Sequence, residues 1–118
     1  MASILIVETD SQFARRLSWI LLEAGYDVAV CNSPAGAAEC LDRGIPDIVV
    51  IGDQVDSGMM DRYIALFSDR APAAGLLDLS RNPVSAHGRP VNAHAHLRQP
   101  FDADDLLEEV YQLLARSA

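Results

Sequence analysis

The sequence predicts a doubly wound parallel α/β domain, and three observations predict it. Short apolar runs recur without the polar alternation of a sheet open to water on one face, stretches with helical apolar spacing separate them, and Gly or Pro punctuates the junctions. Five strands alternating with helices imply right-handed crossovers and helices on both faces of one sheet.

Ser3–Val7 is a continuous aliphatic run, as expected of a strand covered on both faces. Asp10 can cap the helix that follows, in which Phe13, Leu17, Ile20, Leu21 and Ala24 form the apolar stripe and Gly25 stops it. Tyr26–Cys31 reads as the second strand. Ser33 then caps a helix with Pro34 in its first turn, Ala37, Ala38 and Leu41 facing inward, and Gly44 at its end.

Pro46 introduces the third strand, Asp47–Ile51, and Ser57 is the expected cap of a third helix with Met60, Ile64 and Phe67 inward. The segment 73–79 holds a weaker fourth strand. Pro83, Gly88 and Pro90 fall in the next stretch, so the fourth helix is expected to be short or irregular. His94–Arg98 reads as the fifth strand, and Asp102 caps a last helix with Leu106, Val110, Leu113 and Leu114 inward.

Composition narrows the function. The 118 residues suit a single domain, and half of them are hydrophobic, enough for a core without disulfides or a structural metal. Net charge is −8, and all nine basic residues are arginines. That balance argues against direct nucleic-acid binding. No apolar stretch approaches the length of a membrane span and no secretory signal is evident, so the cytoplasm is the expected compartment. Cys31 and Cys40 read as reduced thiols.

In such sheets, ligands and chemistry gather at the carboxyl ends of the strands. Those ends carry Glu8, Thr9 and Asp10, then Gly52 and Asp53, then Leu77 and Asp78, then Arg98 and Gln99. The segments Ile4–Asp10 (ILIVETD), Leu21–Val28 (LLEAGYDV), Pro46–Ile51 (PDIVVI) and Gln99–Phe101 (QPF) together resemble the receiver domains of two-component response regulators. The resemblance runs over almost the whole chain, residues 1–118. It implies a three-layer α/β/α, flavodoxin-like (CheY-like) fold with strand order 2-1-3-4-5.

Receivers of this kind bind Mg²⁺ with two acids after the first strand and accept a phosphoryl group on an aspartate ending the third. A hydroxyl ends their fourth strand, and a lysine follows the fifth. On this sequence the acid pair falls on Glu8 and Thr9, the acceptor on Gly52, the hydroxyl on Leu77 and the lysine on Gln99, while His96 stands where an aromatic switch residue often sits. The resemblance therefore implies a degenerate pocket of Glu8, Thr9, Asp10, Gly52, Asp53, Leu77 and Gln99. Without a carboxylate at 52 there is no nucleophile, and glutamine brings no positive charge to a phosphoryl group.

The leading expectation is a non-enzymatic pseudo-receiver, a phosphorylation-independent interaction module of signal transduction with no required cofactor. Its partner is another protein or an attached output domain. By analogy, the face of the fourth helix, fifth strand and last helix, with His96, Phe101, Leu106 and Val110, is the expected switch, partner or homodimer surface.

Two alternatives stand beside it. Asp53, one residue past the acceptor position, is a displaced phosphoacceptor acting with Mg²⁺ held by Glu8, Asp10 and Asp53. Or the space left by Gly52 and Gln99 takes a small ligand or metal. His94 and His96 share a strand face, with His87 nearby, but no cysteine or acid at ligand spacing completes a zinc site.

Overall fold

The computed structural model describes residues 1–53, 55–79 and 93–117. In chain order the elements are β1 (Ser3–Val7), α1 (Ser11–Glu23), β2 (Asp27–Cys31), α2 (Pro34–Arg43), β3 (Ile48–Ile51), α3 (Ser57–Arg70), β4 (Gly75–Asp78), β5 (Ala93–His96) and α4 (Ala103–Ser117). The strands form one parallel sheet of order β2-β1-β3-β4-β5, as expected. The irregular helix anticipated between β4 and β5 lies outside the described residues.

The aliphatic runs explain the sheet. Ile4, Ile6, Ile48, Val50 and Leu77 point to one face and pack against Leu17 and Leu21 of α1 and Leu106, Val110 and Leu113 of α4. Leu5, Val7, Val49, Ile51 and Leu76 point to the other, against Leu41 of α2 and Met60, Tyr63 and Phe67 of α3. Both faces are thus dry, and unbroken hydrophobicity in the strands follows from that. The in-register pairs Ile4↔Ile48, Val49↔Leu76 and Leu77↔Ala95 carry the sheet from β1 to β5.

Local signals set the helix ends. The Asp10 carboxylate accepts from the N–H groups of Gln12 and Phe13 at 3.0 and 3.3 Å. Gly25 sits at φ 96°, with its own N–H donating to Leu22 O and that of Tyr26 to Leu21 O. These two bonds close the helix as a Schellman turn, which favours glycine at that residue. Asp102 and Asp105 each accept from the other's N–H, at 2.8 and 3.1 Å, and this reciprocal cap starts α4.

Some boundaries differ from the sequence reading. Asp56, not Ser57, caps α3: its carboxylate accepts from Met59 N–H at 2.8 Å and its backbone is extended. A carboxylate placed one residue earlier reaches the same orphan donors, and Ser57 becomes the first helical residue. β5 ends at His96, so Arg98 lies beyond it.

A larger correction concerns the expected interaction face. Leu106 and Val110 are fully buried against the sheet and present nothing to a partner. Their spacing is that of the core stripe of α4. Of the four residues placed on that face, His96 is exposed and Phe101 half-buried, the latter 6.5 Å from the Phe13 ring.

Candidate functional site: a strand-end hollow filled from within

The carboxyl ends of β1, β3 and β4 meet where Glu8, Gly52 and Leu79 follow their strands. Backbone bonds tie them together: Gly52 N–H donates to Val7 O at 2.8 Å, and Leu79 N–H donates to Ile51 O at 2.8 Å. Glu8 is a buried acid, only 2% exposed. Its Oε1 accepts from the N–H groups of Thr9 and Asp10 at 3.0 and 3.2 Å. A carboxylate held by backbone donors at the start of a helical segment is electrostatically well placed.

The direction of that side chain decides the character of the site. A Cβ built on Gly52 would fall on Glu8 Oε2 and lie 2.5 Å from Glu8 Cδ and 3.0 Å from its Cβ. The carboxylate of Glu8 therefore occupies the space that any side chain at 52 would need. Gly52 is itself buried, with no positive-φ requirement to explain a glycine. Close approach of the neighbouring carboxylate does explain it.

Asp10, Asp53 and Gln99 line one shallow hollow beside this point, together with Gln12, Phe13 and Arg16. Glu8 and Thr9 instead border a groove between α1 and β2. The structure thus gathers three of the seven expected pocket residues around the hollow, while Glu8 is turned onto Gly52. Gln99 Nε2 lies 3.4 Å from Leu79 O, so its amide is directed toward the end of β4.

Leu77 is not at this site. It pairs with Val50 and Ala95 and is fully buried in the α1–α4 core. That level is two residues below Gly52, and Leu79, also buried and directly after β4, is the residue that reaches the height of Gly52. Counting along a uniform apolar strand gives no internal mark of its end, so the expected position slipped by one side-chain repeat.

The expected pocket set omits two residues, Arg16 and Asp78, although Asp78 is named among the strand ends. Arg16 of α1 also lines the hollow, six residues after the Asp10 cap. Asp78 ends β4 with 1% exposure, level with Ile51 and His96. An acid closing an apolar strand was the available signal for the second. The first had none, because a helix arginine declares its side only once the core stripe is fixed.

The Asp10 carboxylate caps α1 through Oδ1, and Glu8 is turned onto Gly52. Among the described residues, no three His, Cys, Asp or Glu side chains gather as metal ligands. His94 is half-buried and His96 exposed, on the sheet face opposite Ala95. No described helix is long and apolar enough to cross a membrane.

No protein-family model and no curated protein matches the chain. Solved structures do. A CheY-like response regulator receiver domain protein from Methanospirillum hungatei JF-1 is similar, with a TM-score of 0.79 at 17% identity over 99% of this chain and 96% of that one. The signal receiver domain of an HD domain-containing protein from Pseudomonas fluorescens Pf-5 superposes with a TM-score of 0.84 at 19% identity, covering 98% and 96%. NtrX from Brucella abortus matches 98% of this chain with only 27% of its own, at 17% identity and a TM-score of 0.83. The structural neighbours are receiver domains, and the fold is theirs.

Proposed function

We propose that this chain is a signalling module of the receiver type that works through protein contacts and without aspartyl phosphorylation. The observation that carries the proposal is Glu8 lying in the side-chain space of Gly52. A receiver that phosphorylates needs an open carboxylate there, and here the position holds a hydrogen and a neighbour's buried carboxylate. Gln99 adds no cation, and Leu79, level with Gly52 just after β4, adds no hydroxyl. The module requires no Mg²⁺, and its partner is a separate protein or an attached output domain. The match to a fraction of the longer NtrX chain supports the second form.

A second reading has its own observation. Asp10, Asp53 and Arg16 line the same hollow, so two acidic residues and an arginine border the space beside the lost acceptor. Phosphorylation of Asp53 would draw on Asp10 and Arg16 beside it.

Amide-shift titration by NMR separates the two. The protein is titrated with Mg²⁺, then with Mg²⁺ plus beryllofluoride as a phosphoryl mimic, with Asp53→Ala as control. The proposal expects no saturable shift at residues 52–53 or in β5. Saturable shifts at both places, lost in the control, would overturn it and establish the displaced acceptor.

A further inference from the structure

Among the described residues seven large hydrophobics are exposed, and three of them, Trp19, Leu22 and Tyr111, lie on the outward faces of α1 and α4 at 67, 56 and 65% exposure. These two helices cover the same face of the sheet. Each follows a parallel strand and returns against it, so the two run in the same direction.

Their outward stripes are complementary. On α1 the stripe is Arg15, Trp19 and Leu22, and on α4 it is Asp104, Glu108 and Tyr111, all exposed. Both have the spacing i, i+4, i+7, which keeps residues on one side of a helix. α1 carries Arg15, Arg16 and Glu23, a charge of +1 in a chain of net −8, whereas α4 carries Asp104, Asp105, Glu108, Glu109 and Arg116, a charge of −3. One layer thus presents a basic aromatic stripe beside an acidic aromatic one.

We infer that this layer is a self-complementary surface whose occupant is a second copy of the chain. A two-fold axis parallel to the helices lays α1 of one copy along α4 of the other, turn for turn and in the same direction. Arg15 then meets the second copy's Asp104 and Glu108, and Trp19 and Leu22 meet its Tyr111. Symmetry supplies the same contacts again on the other side, as an isologous interface requires. Aromatic and arginine side chains anchor such surfaces, while opposite charges fix the register and reject a sliding fit. The inference names the partner that the proposed interaction module calls for. It does not depend on the state of the strand-end hollow, which the Mg²⁺ and beryllofluoride titration reads separately.

The test is sedimentation equilibrium of the whole chain over a wide concentration range, at low and high salt, with circular dichroism confirming that each surface variant is folded. The wild type is expected to dimerise more tightly at low salt. Arg15→Glu and Glu108→Arg should each weaken the dimer about tenfold or more, and Trp19→Ala likewise. Arg15→Glu combined with Glu108→Arg should bring it back, because the reversed charges face each other twice. A monomer at all concentrations up to about 1 mM would overturn the inference and leave these stripes to another protein. So would a dimer indifferent to all three single substitutions.

Discussion

Adding one methyl group at Gly52 tests the central feature of the site. In Gly52→Ala the new Cβ falls on Glu8 Oε2, so either the carboxylate turns away or the ends of β1 and β3 part. If Glu8 turns, its Oε1 gives up the Thr9 and Asp10 N–H groups. Hydrogen bonds to a charged group contribute about 1.5–3 kcal/mol each, and the exposure of Thr9 and Asp10 lets water recover much of that. If the strands part, overpacking costs about 1–3 kcal/mol.

Either route puts the loss near 1–3 kcal/mol, or a fall in Tm of roughly 4–12 °C for a domain of this size. Glu8→Ala alone should cost about 1–2 kcal/mol through the donors it leaves behind. The double variant should cost less than the sum of the singles by about 1–3 kcal/mol, since the methyl then enters vacated space. Urea unfolding of the four proteins measures the cycle. A Gly52→Ala protein within about 0.5 kcal/mol of wild type, or strictly additive costs, would show that the two positions do not compete for one space.

Three further outcomes follow from other parts of the molecule. Leu77→Ala should lose about 2–5 kcal/mol in the same unfolding assay, because Leu77 is core rather than pocket lining. Asp56→Ala should destabilise the protein by about 0.5–2 kcal/mol through loss of the α3 cap, and Asp56→Asn should recover most of it. Burial, with the nearby Cys40 adding to it, pushes the Cys31 thiol up to about 12, and burial does the same to the Tyr63 phenol. Cys31 should therefore react with iodoacetamide at pH 8 far more slowly than the half-buried Cys40, as read by peptide mass spectrometry.

The same two groups give a pH dependence. Their ordinary values of 9.0 and 10.0 are raised in the fold, so the unfolded chain releases these protons first. Their contribution to stability is complete below pH 9 and is lost as pH rises toward 12. Each group alone costs up to about 1.4 kcal/mol per pH unit within its window. Thermal melts between pH 8 and pH 11 should show the decline beginning above pH 9, and a flat profile would contradict the buried placement of both side chains.

Much of the architecture was legible because each device that specifies it is local. Asp10, the Ser33–Pro34 start and Gly25 mark helix ends by chemistry that acts within a turn, and the strands betray double-sided burial by composition alone. Where the chain gives no local mark, the reading drifted. Ser57 and Asp56 are adjacent capping residues, and only the backbone decides between them. Leu106 and Val110 were placed inward by their spacing and outward by analogy with receivers; the spacing was right, since a core stripe cannot also be a docking face.

The site was harder to read because its defining contact joins residues 44 positions apart. The sequence offered Glu8 as the surviving member of an acid pair and Gly52 as a missing acceptor, two separate facts. In the fold they are one: the longer acid after β1 reaches into the gap after β3 and fills it. This coupling constrains any attempt to restore the acceptor. Gly52→Asp alone would drive a second carboxylate against Glu8 in a buried place, where two like charges are costly. Only a variant that also shortens or removes the Glu8 side chain, such as Glu8→Ala with Gly52→Asp, frees the volume that an acceptor needs.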